Sequence, residues 1–417
     1  MNPMPIHPHR PASTGAARQH SLREQNLALV AHAVMSSQAP VSRAEVALRT
    51  GLTRATVSTL VDRFILAGIL AELPPLTTGG AGRPAVPLIP ASRTVAGLGL
   101  QINPNYLAAA LIDLTGQVVA ESVRHGDYRG SDPAAVLAEL RELAQETIDQ
   151  PEAAGLRVAG AYLAVPGLVE SETGMLRVAP NLGWSQVPVV ELLNLDALKL
   201  PPTPWTINPD YQKTPLWVVV ANDAKLAALA EVESQAKDSF IYLSCDRGIG
   251  GAIVVNGELF GGGHGWSGEM GHVIVDPSGP MCSCGAQGCL EVFASKNALM
   301  QAAGLPKKAP LSELTAAIDA GDPKAIAAMN QAAKSLGTVL SDLINVFDVP
   351  TIIIGGELLE LVPYIAEDLT AQLNYRVLSA PYVPPQVKAS SVGTYPSLVG
   401  AGREVLRRVI EDPALFL

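Results

Sequence analysis

Apolar residues over the first ninety positions recur at helical spacing. The stretch LREQNLALVAHAVMS, residues 22–36, carries one such face. Ser42 and Glu45 form a Ser-x-x-Glu capping box, which predicts a short helix to about Arg49, broken by Gly51. Thr53 is placed to cap a third helix over 54–69, with Val57, Leu60, Val61 and Phe64 on one face at i, i+3, i+4 and i+7. Ala55, Ser58 and Thr59 then point away, flanked by Thr56 and Arg63. Beyond Gly68, AELPPLTTGGAGRPAVPLIP reads as two short extended pieces around a Gly-rich tip that carries Arg83. A short helix, a Gly-containing turn, a helix with small polar outward residues and a wing are the parts of a winged helix-turn-helix. Small side chains let such a helix approach the floor of a DNA major groove; Arg54 and Arg63 suit phosphates or base edges, and Arg83 suits a minor groove. A plain three-helix bundle with a flexible linker has a similar pattern.

From Thr94 the pattern changes to strands alternating with helices. VAGLGLQI and YLAAALIDLTGQVVA read as a hairpin of two buried strands, and residues 132–150 as an amphipathic helix. RVAGAYLAVPG and PLWVVVAN are further strands; FIYLSC, GGAIVVNGELF and PTIIIGG form a second series. Two α/β halves in succession predict two lobes with a ligand cleft between them.

Charge sharpens the reading of the head. Residues 1–93 hold nine arginines, no lysine and four acidic residues, although the whole 417-residue chain is net −10. A basic head on an acidic body points to an anionic partner such as DNA. Residues 1–20, rich in Pro, read as a disordered tail without the apolar core of a secretory signal. No apolar run has the length of a membrane span, and four cysteines make no disulfide framework, so the expected compartment is the cytoplasm.

Three of those four cysteines fall within eight residues. His272, Cys282, Cys284 and Cys289 give H-x9-C-x-C-x4-C, a ligand set for one structural zinc per chain. Four protein ligands leave no open position for water, which argues against hydrolytic zinc chemistry. Cys245 lies in a strand and reads as core. Glu269 and Glu291 flank the knot, a carboxylate at each end of the pinned loop.

Gly268-Glu269-Met270-Gly271-His272, followed by Cys282-Ser283-Cys284-Gly285-Ala286-Gln287-Gly288-Cys289-Leu290-Glu291, resembles the paired signature of the ROK family of repressors, open reading frames and sugar kinases. Ala164-Val165-Pro166-Gly167, Ala179-Pro180-Asn181-Leu182 with Trp184, Asn222-Asp223-Ala224, Gly248-Ile249-Gly250-Gly251 and Gly355-Gly356 follow in family order. The winged head marks the repressor branch. The resemblance implies an α/β, two-lobed, actin-like (ribonuclease H-like) sugar-kinase fold behind the winged helix-turn-helix. It implies that Asn222, Asp223, Glu269, His272 and Glu291 line a sugar site, with Asn181 on its wall and Asp223 the general base in a kinase member.

Two departures bear on activity. ROK kinases carry Asp-x-Gly-Gly-Thr in the first hairpin to cradle phosphate. The stretch matched to it here is Gly99-Leu100-Gln101-Ile102-Asn103, and Asp246-Arg247 stands where a Gly-Thr normally precedes the second loop. Retained sugar residues without the phosphate cradle fit a sensor, so no catalytic residue is assigned. The expected division is a tail over 1–20, a winged head over 21–90, a first lobe over 95–225 completed by a helix at about 397–417, and a second lobe over 226–396 with the zinc loop. The expected partners are a double-stranded operator, a sugar effector between the lobes and further copies in a homodimer or homotetramer, with no membrane. A sugar kinase bearing a DNA-binding head, and a regulator controlled by a partner protein, are the alternatives.

Overall fold

The computed structural model describes residues 19–75, 86–205, 216–232, 235, 238–245 and 248–417. Arg83, Asp246 and Arg247 lie outside these residues, as does the side chain of Cys245. The head comprises α1 (Gln19–Met35), β1 (Val41–Ser42), α2 (Arg43–Thr50), α3 (Arg54–Leu66), β2 (Leu70–Glu72) and β3 (Pro87–Pro90). Helix α1 starts at Gln19, inside the span read as tail. The capping box forms: Ser42 Oγ accepts from Glu45 N at 3.2 Å, and Glu45 Oε2 accepts from Ser42 N at 2.7 Å. Thr53 caps α3 by accepting from Thr56 N. Helix α3 ends at Leu66 rather than 69, because Gly68 takes a left-handed backbone (φ +69°) and turns the chain into β2. Strands β1 and β2 pair antiparallel with β3 on either side.

The next segment contains β4 (Val95–Asn103), β5 (Tyr106–Asp113), β6 (Val118–His125), α4 (Pro133–Ile148), β7 (Arg157–Val165), β8 (Leu168–Glu170), β9 (Met175–Ala179), β10 (Trp184–Pro188), α5 (Val189–Leu193), β11 (Val218–Asn222) and α6 (Asp223–Val232). Its main sheet runs β11-β7-β4-β5-β6, and β8, β9 and β10 form a small antiparallel sheet beside it. The expected two-strand hairpin is a three-strand meander. Buried Asp113 breaks it: Oδ1 accepts from Thr115 N, Thr115 Oγ1 and Gln117 N, forcing a turn inside what reads as one apolar run.

The remainder holds β12 (Phe240–Cys245), β13 (Ile249–Val255), β14 (Glu258–Leu259), α7 (Glu291–Ala294), α8 (Lys296–Ala302), α9 (Leu311–Asp319), α10 (Pro323–Phe347), β15 (Thr351–Gly355), α11 (Val362–Arg376), β16 (Gln386–Ala389) and α12 (Pro396–Glu411). Its sheet runs β14-β13-β12-β15-β16.

Residue parity explains the layering. Leu107, Ala109 and Leu111 of β5 join a core with α4, while Ala108, Ala110 and Ile112 join one with α12. Both faces of the first sheet are therefore covered, which is why β4 is buried from end to end. Helix α12 lies directly on β4: a Cβ at Gly97 would meet the Gly402 carbonyl oxygen at 2.1 Å, and one at Gly99 the Leu398 carbonyl oxygen at 2.4 Å. Helix α6 packs on α12 and, through Ala227 and Ala228, on Phe240, Tyr242 and Val254 of the second sheet. The order is thus sheet, α12 with α6, sheet. The boundary expected at 225/226 falls inside α6, a helix shared by both lobes that cannot be divided there.

Candidate functional site

The cleft forms where strand ends converge. In the first lobe, β4, β7 and β11 run parallel, and their carboxyl ends deliver Asn103, then Pro166 and Gly167, then Asn222 with Asp223 at the start of α6. The second lobe contributes Ser244, Gly248 to Gly251, Glu269, His272, Ser283 and Glu291. All five residues expected at the sugar site line this one cavity, with Asn181 on its wall.

Asn222 is a clamp as well as a wall. Its Nδ2 donates to the Gly167 carbonyl at 3.1 Å, and its Oδ1 accepts from Lys225 N at 3.2 Å. Asp223 Oδ1 accepts from Ala224 N at 2.8 Å. Glu291 Oε2 accepts from Ile249 N at 3.1 Å, tying the metal loop to β13. Burial pushes the Glu269 carboxyl above its ordinary range, and Glu291's like charge adds to this against the pull of His272 and Lys225. Lys225 escapes the sequence reading, since a lysine one turn into a helix carries no signal. Burial lowers its pKa, Glu269 opposes that, and its Nζ donates to the Gly265 carbonyl. The same loop sends the Trp266 indole across to the Val169 carbonyl at 3.0 Å, a lobe-to-lobe contact at the rim.

His272, Cys282, Cys284 and Cys289 bring their ligand atoms within 4.8 Å of one another. Cys284 Sγ lies 3.7 Å from Cys289 Sγ, and Cys282 Sγ lies 3.7 Å from His272 Nδ1. Tetrahedral zinc with ~2.3 Å Zn–S bonds separates two sulfurs by roughly 3.8 Å, so the donor set fits such an ion with little movement. Nδ1 faces the cysteines while the same imidazole lines the cleft.

On α3, Arg54, Ala55 and Thr59 are exposed and Thr56 and Ser58 half-buried. Thr59 Oγ1 donates to the Ala55 carbonyl, and the Thr56 hydroxyl pairs with Thr53. Arg63 departs from expectation: its Nη1 is buried without a hydrogen-bond partner, and burial, with Arg23 beside it, lowers its pKa. It packs toward α1 more than outward. Arg43, not foreseen, bridges Asp62 and Glu72 at 2.8 Å each and so ties α2, α3 and β2.

The stretch Gly99–Asn103, matched above to a kinase phosphate loop, is strand. Gly99 is sealed under α12, and only Asn103 and the following Pro104 reach the cleft. The turn facing the cleft therefore begins only at Asn103, where the matched stretch ends.

Two α/β lobes with a carboxylate-lined cleft and a knot of one histidine and three cysteines define a sugar-kinase-like body, preceded by a small module of three helices and three short strands. Residues 205–407 match the ROK family profile. It is 26% identical to the xylose repressor of Bacillus subtilis (strain 168), over 95% of this chain and 98% of that one. It is 25% identical to the transcriptional dual regulator NagC of Escherichia coli (strain K12), over 86% and 87%. A solved ROK family transcriptional regulator, a homologue of the E. coli MLC protein, superposes with a TM-score of 0.75 at 26% identity, over 95% of this chain and 98% of that chain. The ROK hexokinase of Thermus thermophilus superposes with a TM-score of 0.59 at 29% identity, covering 75% of this chain and 99% of its own. Among the described residues, no helix is long and apolar enough to cross a membrane.

Proposed function

We propose that this chain is a ROK transcriptional repressor that reads an operator through its head and senses a sugar between its lobes. The observation that carries this reading is the extent of the likeness. Repressors match along 95% of the chain, whereas a hexokinase leaves a quarter unmatched, about the share that precedes β4. In the cleft, Asn222, Asp223, Glu269 and Glu291 would take hydroxyls, and His272 would turn Nε2 to the sugar while Nδ1 holds the metal. Zinc, when bound, would fix the loop that carries Glu269 and Glu291; this chain's residues do the recognition.

A path from cleft to head runs through the core. Asp223 opens α6, α6 packs on α12, and α12 with the turn Pro413–Leu415 packs on α1. Apolar residues of the head, among them Val30, Val34 and Phe64, share one continuous core with Ile112, Val405, Val409 and Phe416. Polar contacts stiffen the joint: Asp113 Oδ2 accepts from Arg93 N at 2.8 Å and Ser92 Oγ at 3.2 Å, and Thr94 Oγ1 donates to the Gly68 carbonyl at 2.5 Å. The Trp205 ring packs against Gly68. A rotation of the lobes would thus reach the wing through α12 as well as along the chain near Ile89 to Arg93. A two-fold operator calls for a dimer, and the exposed Val346, Tyr375, Leu378 and Tyr382 offer an apolar surface for it.

Operator titration with and without sugar tests the reading. Glu269→Gln removes a half-buried charge without changing shape, so the fold and basal operator binding should persist while the sugar response is lost. Equal responses in wild type and Glu269→Gln would mean that the signal enters elsewhere. The kinase reading keeps one supporting observation, Asp223 at the head of α6 beside the cleft glycines. ATP binding by calorimetry, or sugar-dependent ADP release that vanishes in Asp223→Asn, would favour it.

A further inference from the structure

The cleft does not end at Asn181. A second cavity of about 300 Å³ opens on its far side and shares Pro104, Pro180 and Asn181 with the first. Asn181 forms the partition: a Cβ on Gly248 would meet both Asn181 Nδ2 (2.8 Å) and Glu291 Oε2 (2.4 Å), so these two side chains converge over the same glycine. The floor of the outer cavity is two glycine backbones. Gly130 N donates to the Leu182 carbonyl at 2.8 Å, and Gly130 and Gly183 both take left-handed conformations, φ +63° and +74°. A Cβ on Gly130 would meet nothing within 4 Å, so the space above it is open. Pro104 and Pro180 border this floor with flat apolar faces.

We propose that the effector is a neutral oligosaccharide, a disaccharide or longer, whose second ring lies in this outer cavity while the first occupies the cleft. The inference rests on the cleft being the sugar site. A sugar ring is a plate with apolar faces and a rim of hydroxyls that both donate and accept. A side-chain-free floor between two prolines accommodates the plate. The amides of Asn181 and Asn297, each with a donor and an acceptor end, match the rim. The outer cavity is a poor phosphate site. Its cation, Arg129, is held by Asp127 through Nε–Oδ1 at 2.6 Å and a second contact from Nη2 to Oδ2, so its charge is already neutralised. Asn297 comes from α8 in the second lobe, the rest from the first, so a second ring touches both lobes and rewards the closed state.

Calorimetry on the full-length protein tests this with three sets of probes: xylose and glucose; xylobiose, maltose and cellobiose; glucose 6-phosphate. At least one disaccharide should bind at least tenfold tighter than its own monosaccharide. Asn297→Phe, which fills the outer cavity, should abolish that advantage and leave monosaccharide affinity within about twofold. Monosaccharides binding as tightly as every disaccharide, glucose 6-phosphate binding tightest, or a disaccharide advantage that survives Asn297→Phe would each overturn the inference. The sugar-site reading fails separately, and this inference with it, if no probe binds or if binding is unchanged in Glu269→Gln.

Discussion

The coupling path makes its sharpest demand at Phe416, one residue from the last. Its ring is 1% exposed and belongs to the core shared by head and first lobe. The Arg157 guanidinium lies 5.7 Å from the ring centroid, and Arg157 Nη1 donates to the Phe416 carbonyl at 2.8 Å. Phe416→Ala keeps the carbonyl but removes the ring. Truncating a buried phenylalanine costs about 3–5 kcal/mol, and Phe416→Ala should fall in that range. The loss falls between α12 and α1, well away from the cleft lining. Urea denaturation should show the stability loss, calorimetry should show unchanged sugar affinity, and operator titration should show a sugar response collapsed toward one. Intact coupling of about 1–3 kcal/mol would instead change operator affinity on the order of 5- to 150-fold. Leu415→Ala, at a half-exposed neighbour, is the control and should leave all three readouts unchanged. A full sugar response in Phe416→Ala despite the lost stability would refute transmission through α12 and leave the joint at Ser92 to Thr94 as the route.

The knot and the head carry the remaining predictions. Chelator-washed protein should retain one zinc per chain by elemental analysis, and Cys284→Ser should lose it and loosen the sugar loop; no zinc in the wild type would remove the metal from the account. Arg54→Ala should weaken operator binding across sequences and reduce the salt slope by about one, whereas changes at Ser58 and Thr59 should alter which sequence is preferred. Unaltered selection in a Ser58→Ala, Thr59→Val double variant would show that α3 does not read the bases.

Local chemistry is legible in the chain; packing across long separations is not. The Ser42–Glu45 box, the Thr53 cap and the four candidate metal ligands are short-range patterns, and the structure brings each set together. Asp113 escapes a reading of the sequence because an apolar run hides one buried carboxylate whose role depends on Ser92 and Arg93, twenty residues earlier. The small sheet β8-β9-β10 escapes it because its strands are three to five residues long, too short for an alternating pattern to declare itself. Gly99 misleads for a related reason. A glycine in a strand marks close backbone approach, but only the fold shows that the approaching group is α12 and not a phosphate.

Under the proposed sensing, motion of the lobes would pivot at Glu231. It is fully buried at the end of α6, and its carboxylate accepts from Ser390 Oγ, from the Ser391 amide at 3.1 Å and hydroxyl at 3.0 Å, and from the Val392 amide at 3.4 Å. Those serines follow β16 and lead into α12, while α6 itself leads toward β12, so one carboxylate stitches together both crossings between the lobes. A ligand shifts the open–closed balance only by the difference in its affinity for the two states. Groups gripped by one lobe alone contribute to affinity in both states and nothing to the response. Asn222 and Asp223 stand on one side of the pivot, Glu269, His272 and Glu291 on the other. An effector that also spans Arg129 and Asn297 adds a second bridge farther out along the cleft. The longer sugar should therefore be the stronger signal at the operator even where its excess affinity is modest.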